Sequence, residues 1–218
     1  MSDRLSAFLR PPALPLAELS AARLDGDLFA LDDGYCSIDE PDTVDLRAEI
    51  LSRLVPDWAV VAGQSAAWLH GALSMPPRIH EAFVRPARRG SLVSSRALLV
   101  RQIRMDADDV ETLGGMLVTT PLRTAIDLAR DHDVGSPGFD ALSRLVDSRL
   151  VGAEAVERWL SVNRRLAGRR RVLTRLALAV EATLPGLDRP SASLSLDRPV
   201  TRETGSSAGD AAQPPLTR

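Results

Sequence analysis

Ser65, His70, His80, Glu81 and Cys36 are the side chains in this 218-residue chain whose types suit proton transfer, metal ligation or nucleophilic attack. Imidazole titrates near neutral pH, so His70 is a candidate acid or base. No serine, cysteine or carboxylate is spaced to serve it as an evident partner, which favours a histidine satisfied by a backbone carbonyl or packed by Trp68. The histidines His70, His80 and His132 and the single thiol share no zinc-site spacing, and Cys36 reads as a small buried hydrophobe. Phosphate loops, paired carboxylates and nucleophile elbows are absent from the sequence. No metal and no cofactor is expected.

One order of residues comes closer to chemistry. Gly63-x-Ser65, then Gly71, then an apolar strand from Ile79 is similar to the glycine-serine loop and strand of minimal nucleotidyltransferases. Those enzymes hold two divalent ions on an Asp-x-Asp pair. Here the strand reads Ile79-His80-Glu81-Ala82-Phe83-Val84, and Glu81 alone can hold at most one ion weakly. The reading is therefore of a protein that is not an enzyme.

The charges are uneven along the chain. All 27 basic residues are arginine, a bias that composition of the genome explains more readily than selection for guanidinium chemistry. Residues 25–49 hold nine acids against Arg47, a net of -8; residues 76–104 hold seven arginines against Glu81, and residues 164–175 hold six arginines and no acid, each +6. Sign blocks of this kind suit docking between segments, a polyanion partner, or solvated faces. The candidate contacts are Arg78, Arg85, Arg88, Arg89, Arg164, Arg165, Arg169, Arg170, Arg171 and Arg175. Arg169, Arg170 and Arg171 crowd a helix start, where the macrodipole disfavours cations. A bound anion or an acidic neighbour would relieve them, and the acidic hairpin described next is the nearest candidate.

The elements that must position these groups give an α+β fold. Leu16, Leu19, Ala22 and Arg23 fall at helical spacing before Gly26, and Leu28 to Ile38 read as a hairpin around Asp32-Asp33-Gly34. Helix then hairpin is the back half of a winged helix-turn-helix, and Pro11, Pro12 and Pro15 leave room ahead of it for one short helix. A linking helix carries Leu46, Ile50, Leu51 and Leu54, a strand or turn runs through residues 58–61, and a helix of small residues follows from Gly63. Runs at 79–84, 97–105 and 110–119, the last broken by Gly114-Gly115, predict a small mixed or antiparallel sheet. Thr120-Pro121 and Ser136-Pro137 each set a cap and a first-turn proline before a helix. Arg123 and Asp127, one turn apart, predict a local pair worth roughly 0.2–0.5 kcal/mol. Two further helices, near 153–162 and 169–184, complete a helical second half. The expected division is a degenerate winged-helix-like unit over 1–42, a second domain over 43–184 and a disordered polar tail over 185–218. The lone cysteine, the lack of a leader-like start and the absence of long apolar runs predict a cytoplasmic chain away from membranes.

Three features together resemble the AbiEi-type antitoxin family of type IV toxin-antitoxin systems, in the form common among actinobacteria. They are Ser65-Ala66-Ala67-x-x-His70-Gly71, the run Val118-Thr119-Thr120-Pro121-x-Arg123-Thr124-x-x-Asp127-Leu128-Ala129, and Leu28-Phe29-Ala30-Leu31-x-x-Gly34-Tyr35, which looks like the family's wing. The resemblance spans about residues 15–185. It implies an N-terminal winged helix that binds and represses its promoter, with Ser20 and Arg23 on the recognition helix, and a C-terminal domain that counters a nucleotidyltransferase-like toxin without a stable complex. In the family the wing usually carries basic residues before Gly-Tyr, whereas Asp32-Asp33 here repel phosphates. Some relatives continue into an endonuclease-like domain, and no nuclease is expected here. The alternatives are an interaction module without DNA binding and a catalytically dead nucleotidyltransferase-like protein.

Overall fold

The first strand of the computed structural model is short, Phe8–Leu9 (β1), and the described residues are 8–9, 14–86, 94–164 and 166–183. The tail expected over 185–218, most of the segment expected to hold a leading helix, and Arg88, Arg89 and Arg165 lie outside them. The described residues form an α+β fold within one compact unit.

Helix α1 (Leu16–Asp25) ends at Gly26 in the left-handed conformation and leads into β2 (Leu28–Leu31) and β3 (Gly34–Ser37). Leu31 pairs with Gly34 across the two-residue turn Asp32-Asp33, and β1 adds to the far side of β3, giving an antiparallel sheet of order β1-β3-β2. Only Leu19 of α1 is buried.

Thr43 caps α2 (Val44–Ser52), accepting from Leu46 N at 3.2 Å. Next come β4 (Val60–Val61), α3 (Gly63–Leu69), β5 (His80–Val84), β6 (Leu98–Gln102) and the hairpin β7 (Val110–Leu113) and β8 (Met116–Thr119). They form a mixed five-stranded sheet, β6-β5-β4-β8-β7, in which β5/β6 and β4/β8 run parallel and the other two pairs antiparallel. Thr120 and Ser136 accept from Arg123 N and Phe139 N, both at 3.3 Å, so the caps read from the sequence open α4 (Pro121–Asp131) and α5 (Pro137–Asp147). Helices α6 (Ala153–Val162) and α7 (Arg169–Thr183) pack beyond them.

The expected seam at residue 42 is not a break in packing. Phe8, Leu31 and Cys36 from the N-terminal sheet share one apolar cluster with Ile50, Leu51, Trp68 and Val118. Ile50 and Leu51 are at most 1% exposed, and each contributes roughly 1.5–3 kcal/mol by leaving water. A second cluster joins Ile126 and Leu128 of α4 to Leu142, Leu145 and Val172 of the later helices. The two clusters hold the sheet and the helical half on either side of α3, whose Trp68 faces the first and Ala67 the second.

Candidate functional site

The conformation at Gly63 decides what the end of β4 can present. Its φ is +57°, and a Cβ there would fall 2.4 Å from Glu81 Oε1, so glycine is required twice over. The Glu81 carboxylate lies against the start of α3, 3.4 Å from Gln64 N, and accepts from Arg101 Nη2 at 2.7 Å. The position weighed for a weakly held ion is thus taken by a guanidinium.

Ser65 and His80 are wholly buried. Ser65 Oγ accepts from Glu81 N at 3.1 Å, and lies 3.0 Å from His80 Nδ1. Ser65 thus has both a second lone pair and its hydrogen with which to bond Nδ1, and the other ring nitrogen is Nε2. That nitrogen faces Asp32 Oδ1 at 3.4 Å, at ion-pair distance but outside hydrogen-bond geometry. Serine, histidine and aspartate in series are the groups of nucleophilic hydrolases. Burial of both Ser65 and His80 denies them a substrate, and the series instead ties the hairpin turn to β5. Asp32 itself has φ +52°, the left-handed region that aspartate tolerates better than most residues. The acidic turn, expected to repel phosphates and offered as the nearest candidate to relieve Arg169–Arg171, places Asp32 against His80. Arg169 finds relief elsewhere, donating to Leu160 O near the C-terminal end of α6, where the helix dipole favours a cation.

His70 Nε2 donates to Thr119 O at 2.8 Å, the carbonyl partner expected for it. Burial holds its imidazole below the ordinary histidine value, against the Thr119 carbonyl and Glu111, whose Oε1 is 3.8 Å from Nδ1. Gly71, with φ +80°, turns the chain out of α3, Gly71 N bonding Trp68 O and Ala72 N bonding Ala67 O. Thr119 and Thr124 hydroxyls meet at 2.7 Å beneath the Thr120-Pro121 helix start.

Arg123 and Asp127 form the expected local pair, but inside the protein. Arg123 Nε donates to Asp127 Oδ2 at 2.8 Å, yet their side chains are only 6% and 2% exposed. Arg123 Nη1 also reaches Asp109 Oδ2 at 2.6 Å, and Asp109 Oδ1 accepts from Trp159 Nε1 at 3.0 Å. Across the helix Arg130 lies 3.1 Å from Asp127 Oδ1 and 2.8 Å from Asp131, and Asp131 accepts from Arg101 at 2.7 Å. Seven alternating charges thus run from Glu81 through Arg101, Asp131, Arg130, Asp127 and Arg123 to Asp109. Burial pushes the Asp127 carboxyl up, against Arg123 and Arg130. Burial also opposes ionisation of Asp131, but Arg130 and Arg101 hold it below the ordinary carboxylate range. Arg101, Asp109, Asp131 and Trp159 carried no signal in the sequence, because their partners lie 14 to 50 positions away.

The remaining arginines divide. Arg175 is buried, donates to Ala129 O and Arg130 O at 3.1 Å and pairs with Asp133, which removes it from the surface set read from the sequence. Arg78, Arg85, Arg164, Arg170 and Arg171 are exposed and Arg169 is half-buried. On α1, Arg23 is exposed and Ser20 half-buried, beside Glu18, Asp25 and the strongly exposed Leu16 and Leu24. Among the described residues no group of three His, Cys, Asp or Glu is placed to hold a metal, and no helix is long and apolar enough to cross a membrane.

A family model described as the AbiEi antitoxin C-terminal domain matches residues 59–176, more than half of the chain. No curated protein matches. Among solved structures, that of the RV2827C protein from Mycobacterium tuberculosis is similar at 19% identity and a TM-score of 0.44, over 77% of this chain and 64% of that one. The chain spans just under two thirds of that structure's length.

Proposed function

The chain belongs to the AbiEi antitoxin C-terminal domain family, and from that membership we propose that it is a cytoplasmic antitoxin-type regulator that acts through contacts with macromolecules and makes or breaks no covalent bond. The observation that carries this reading is the state of Glu81. Its carboxylate is neutralised by Arg101 and lodged against the start of α3, in the place where a nucleotidyltransferase needs free carboxylates for two metal ions. Ser65, His80, Arg123 and Asp127 are likewise consumed in internal bonds. Guanidinium groups do remain open to a partner. Exposed Arg78, Arg85, Arg164, Arg170 and Arg171, with half-buried Arg169, are suited to forked contacts with phosphates.

In this reading residues 43–184 form the antitoxin domain, functionally linked to a nucleotidyltransferase-like toxin without a lasting complex. Residues 1–42 are a degenerate winged-helix-like element that brings Ser20 and Arg23 to promoter DNA. The order β1-β3-β2, with α1 preceding the hairpin, supports that element. Two experiments test the proposal. Co-expression with the product of a neighbouring nucleotidyltransferase gene should restore growth, equally for the wild type and for Glu81→Gln; a toxin that stays lethal beside the wild type overturns the antitoxin role. Affinity for the upstream promoter should fall linearly with salt on logarithmic axes and be lost in Arg23→Glu.

A second reading rests on α1 itself. Glu18 and Asp25 of α1, with Asp27 just beyond it, outnumber Arg23, and Leu16 and Leu24 are 59% and 86% exposed, a surface suited to a protein more than to DNA. Absence of promoter binding at low salt, with growth rescue intact, selects this interaction module.

A further inference from the structure

An unpaired sheet edge offers backbone donors and acceptors to any chain that can extend beside it, and folds commonly cover, shorten or charge such edges. In the five-stranded sheet the outer edge of β6 is closed by serines. Leu98 N donates to Ser95 Oγ at 3.1 Å, Val100 N donates to Ser94 Oγ at 2.9 Å, and Leu98 O accepts from Ser95 N at 2.7 Å. At the other edge, β7 breaks its apolar run with exposed Glu111 and Thr112, and in the smaller sheet β1 is only two residues long. β2 has none of these protections along its length. It reads Leu28-Phe29-Ala30-Leu31 and, among the described residues, pairs with β3 alone.

The two-residue turn makes Leu31 and Gly34 a hydrogen-bonded pair, and Ile38 N donating to Asp27 O at 3.0 Å keeps the same alternation at the other end. Asp27, Phe29 and Leu31 therefore bond toward β3, whereas Leu28 and exposed Ala30 turn their N–H and C=O groups the other way. Among the described residues these groups have no partner. Carboxylates stand at both ends of the strand. Asp25 and Asp27 precede it, exposed and in no ion pair among the described residues, and exposed Asp33 follows it. A second copy of β2, laid parallel or antiparallel, would set carboxylates beside carboxylates, so the edge selects against itself and in favour of a strand with cationic ends. We propose that the outer edge of β2 receives an extended protein segment with a short apolar core and arginine or lysine at both ends, added as a further strand. The site rests on the interaction-module reading for the class of partner, a protein, and adds where that partner binds and what it carries.

Fluorescence anisotropy tests the site on the full chain with a labelled synthetic peptide, RRVTVTVRR, and its control EEVTVTVEE. The arginine peptide should bind, more weakly as salt rises, and the glutamate peptide should not. An added strand turns alternate amides toward β2. Methylating the backbone nitrogens of one alternate set, either the valines or the threonines, should therefore weaken binding about tenfold or more, and methylating the other set should change it little. Ala30→Pro removes an outward N–H that the fold does not use and should weaken binding at least several-fold. Should its far-UV spectrum show unfolding, the methylated peptides on the wild type decide alone. No binding at low salt, or equal effects of the two methylated sets, overturns the proposal, as does a wild-type dimer that Ala30→Pro dissociates, which assigns the edge to a second copy. Peptide binding lost in Leu24→Glu but indifferent to Ala30→Pro overturns the strand site while keeping the interaction module on α1. The module reading fails separately, through promoter binding at low salt measured without peptide.

Discussion

The charges around α4 and those at the α6–α7 corner are the same residue types put to opposite uses. Around α4, Arg123, Asp127, Arg130 and Asp131 are all held by partners, and the inner three, Arg123, Asp127 and Asp109, are almost wholly buried. At the corner, Arg164 and Arg170 stand in solvent. Burial raises the cost of an unpaired charge, so the first set specifies which elements meet; the second set is screened, costs little and stays available to partners.

Breaking the interior set should have the largest effect. Arg123→Leu leaves Asp127 and Asp109 buried beside each other without their shared cation, and should lower unfolding free energy by roughly 3–5 kcal/mol. Urea unfolding measures it, with the urea dependence itself unchanged if the unfolded chain exposes the same surface. A loss under about 1 kcal/mol would show that water or backbone replaces the guanidinium freely. The triple change Arg123→Leu/Asp127→Leu/Asp109→Asn should recover a large part, because no charge is then stranded.

The hairpin turn gives the next effect. Asp32→Ala removes the group facing His80 Nε2 and puts alanine at φ +52°, for a loss of about 1–3 kcal/mol. Asp32→Asn keeps both a residue that tolerates the left-handed region and a polar oxygen facing His80 Nε2. It should cost clearly less in a thermal melt, and equal losses for Ala and Asn would deny the contact any role in placing the turn.

Much of the fold was legible because its signals are local. Thr120-Pro121, Ser136-Pro137 and Gly114-Gly115 act within one turn of chain, and the elements they announce are present. The site was not legible in the same way. In PLRTAIDLARD the spacing predicts only the local Arg123–Asp127 pair, yet Arg123 also binds Asp109, 14 residues before it, and Asp109 accepts from Trp159, 50 residues after it. Likewise Asp32 and His80 are joined only by the docking of one sheet on another, and Arg101 reaches Glu81 only because β5 and β6 run parallel with Glu81 beside Leu99. Arg175 shows the limit of counting charge: it belongs to a block of six arginines and is inside the protein. The Ser65-x-x-x-x-His70-Gly71 and Thr-Thr-Pro-x-Arg runs form bonds that hold α3, β8 and α4 together.

A smaller effect comes from pH. Burial holds His70 below the ordinary histidine value, so on acidification the unfolded chain binds the proton first. Its contribution is therefore complete above pH 6.5 and is lost as pH falls below that toward the folded value. Asp42 and Asp131 are also lowered, Asp42 by its bond to Arg47, but their contributions fade only in stronger acid, below the ordinary carboxylate value of 3.8. Asp127, raised by burial, has the opposite sign, favouring the folded state as pH falls toward 3.8. His70→Gln keeps a donor for Thr119 O and should flatten the stability profile just below pH 6.5 while leaving the acid limb unchanged. A parallel shift of the whole curve would assign the effect to lost packing and not to titration.

The smallest effect sharpens the contrast from the other side. Arg170→Ala removes an exposed guanidinium for which no ion pair exists among the described residues, and should change stability by less than about 0.5 kcal/mol. If the corner serves a polyanion, the same substitution should nonetheless reduce the salt dependence of promoter binding by about one phosphate's worth of slope. The two measurements together distinguish the regions: Arg123 moves stability first and binding only through folding, whereas Arg170 moves binding with stability untouched. An Arg170→Ala protein with an unchanged salt slope would place the phosphate contacts on other exposed arginines, with Arg78 and Arg85 beside β5 the next to replace.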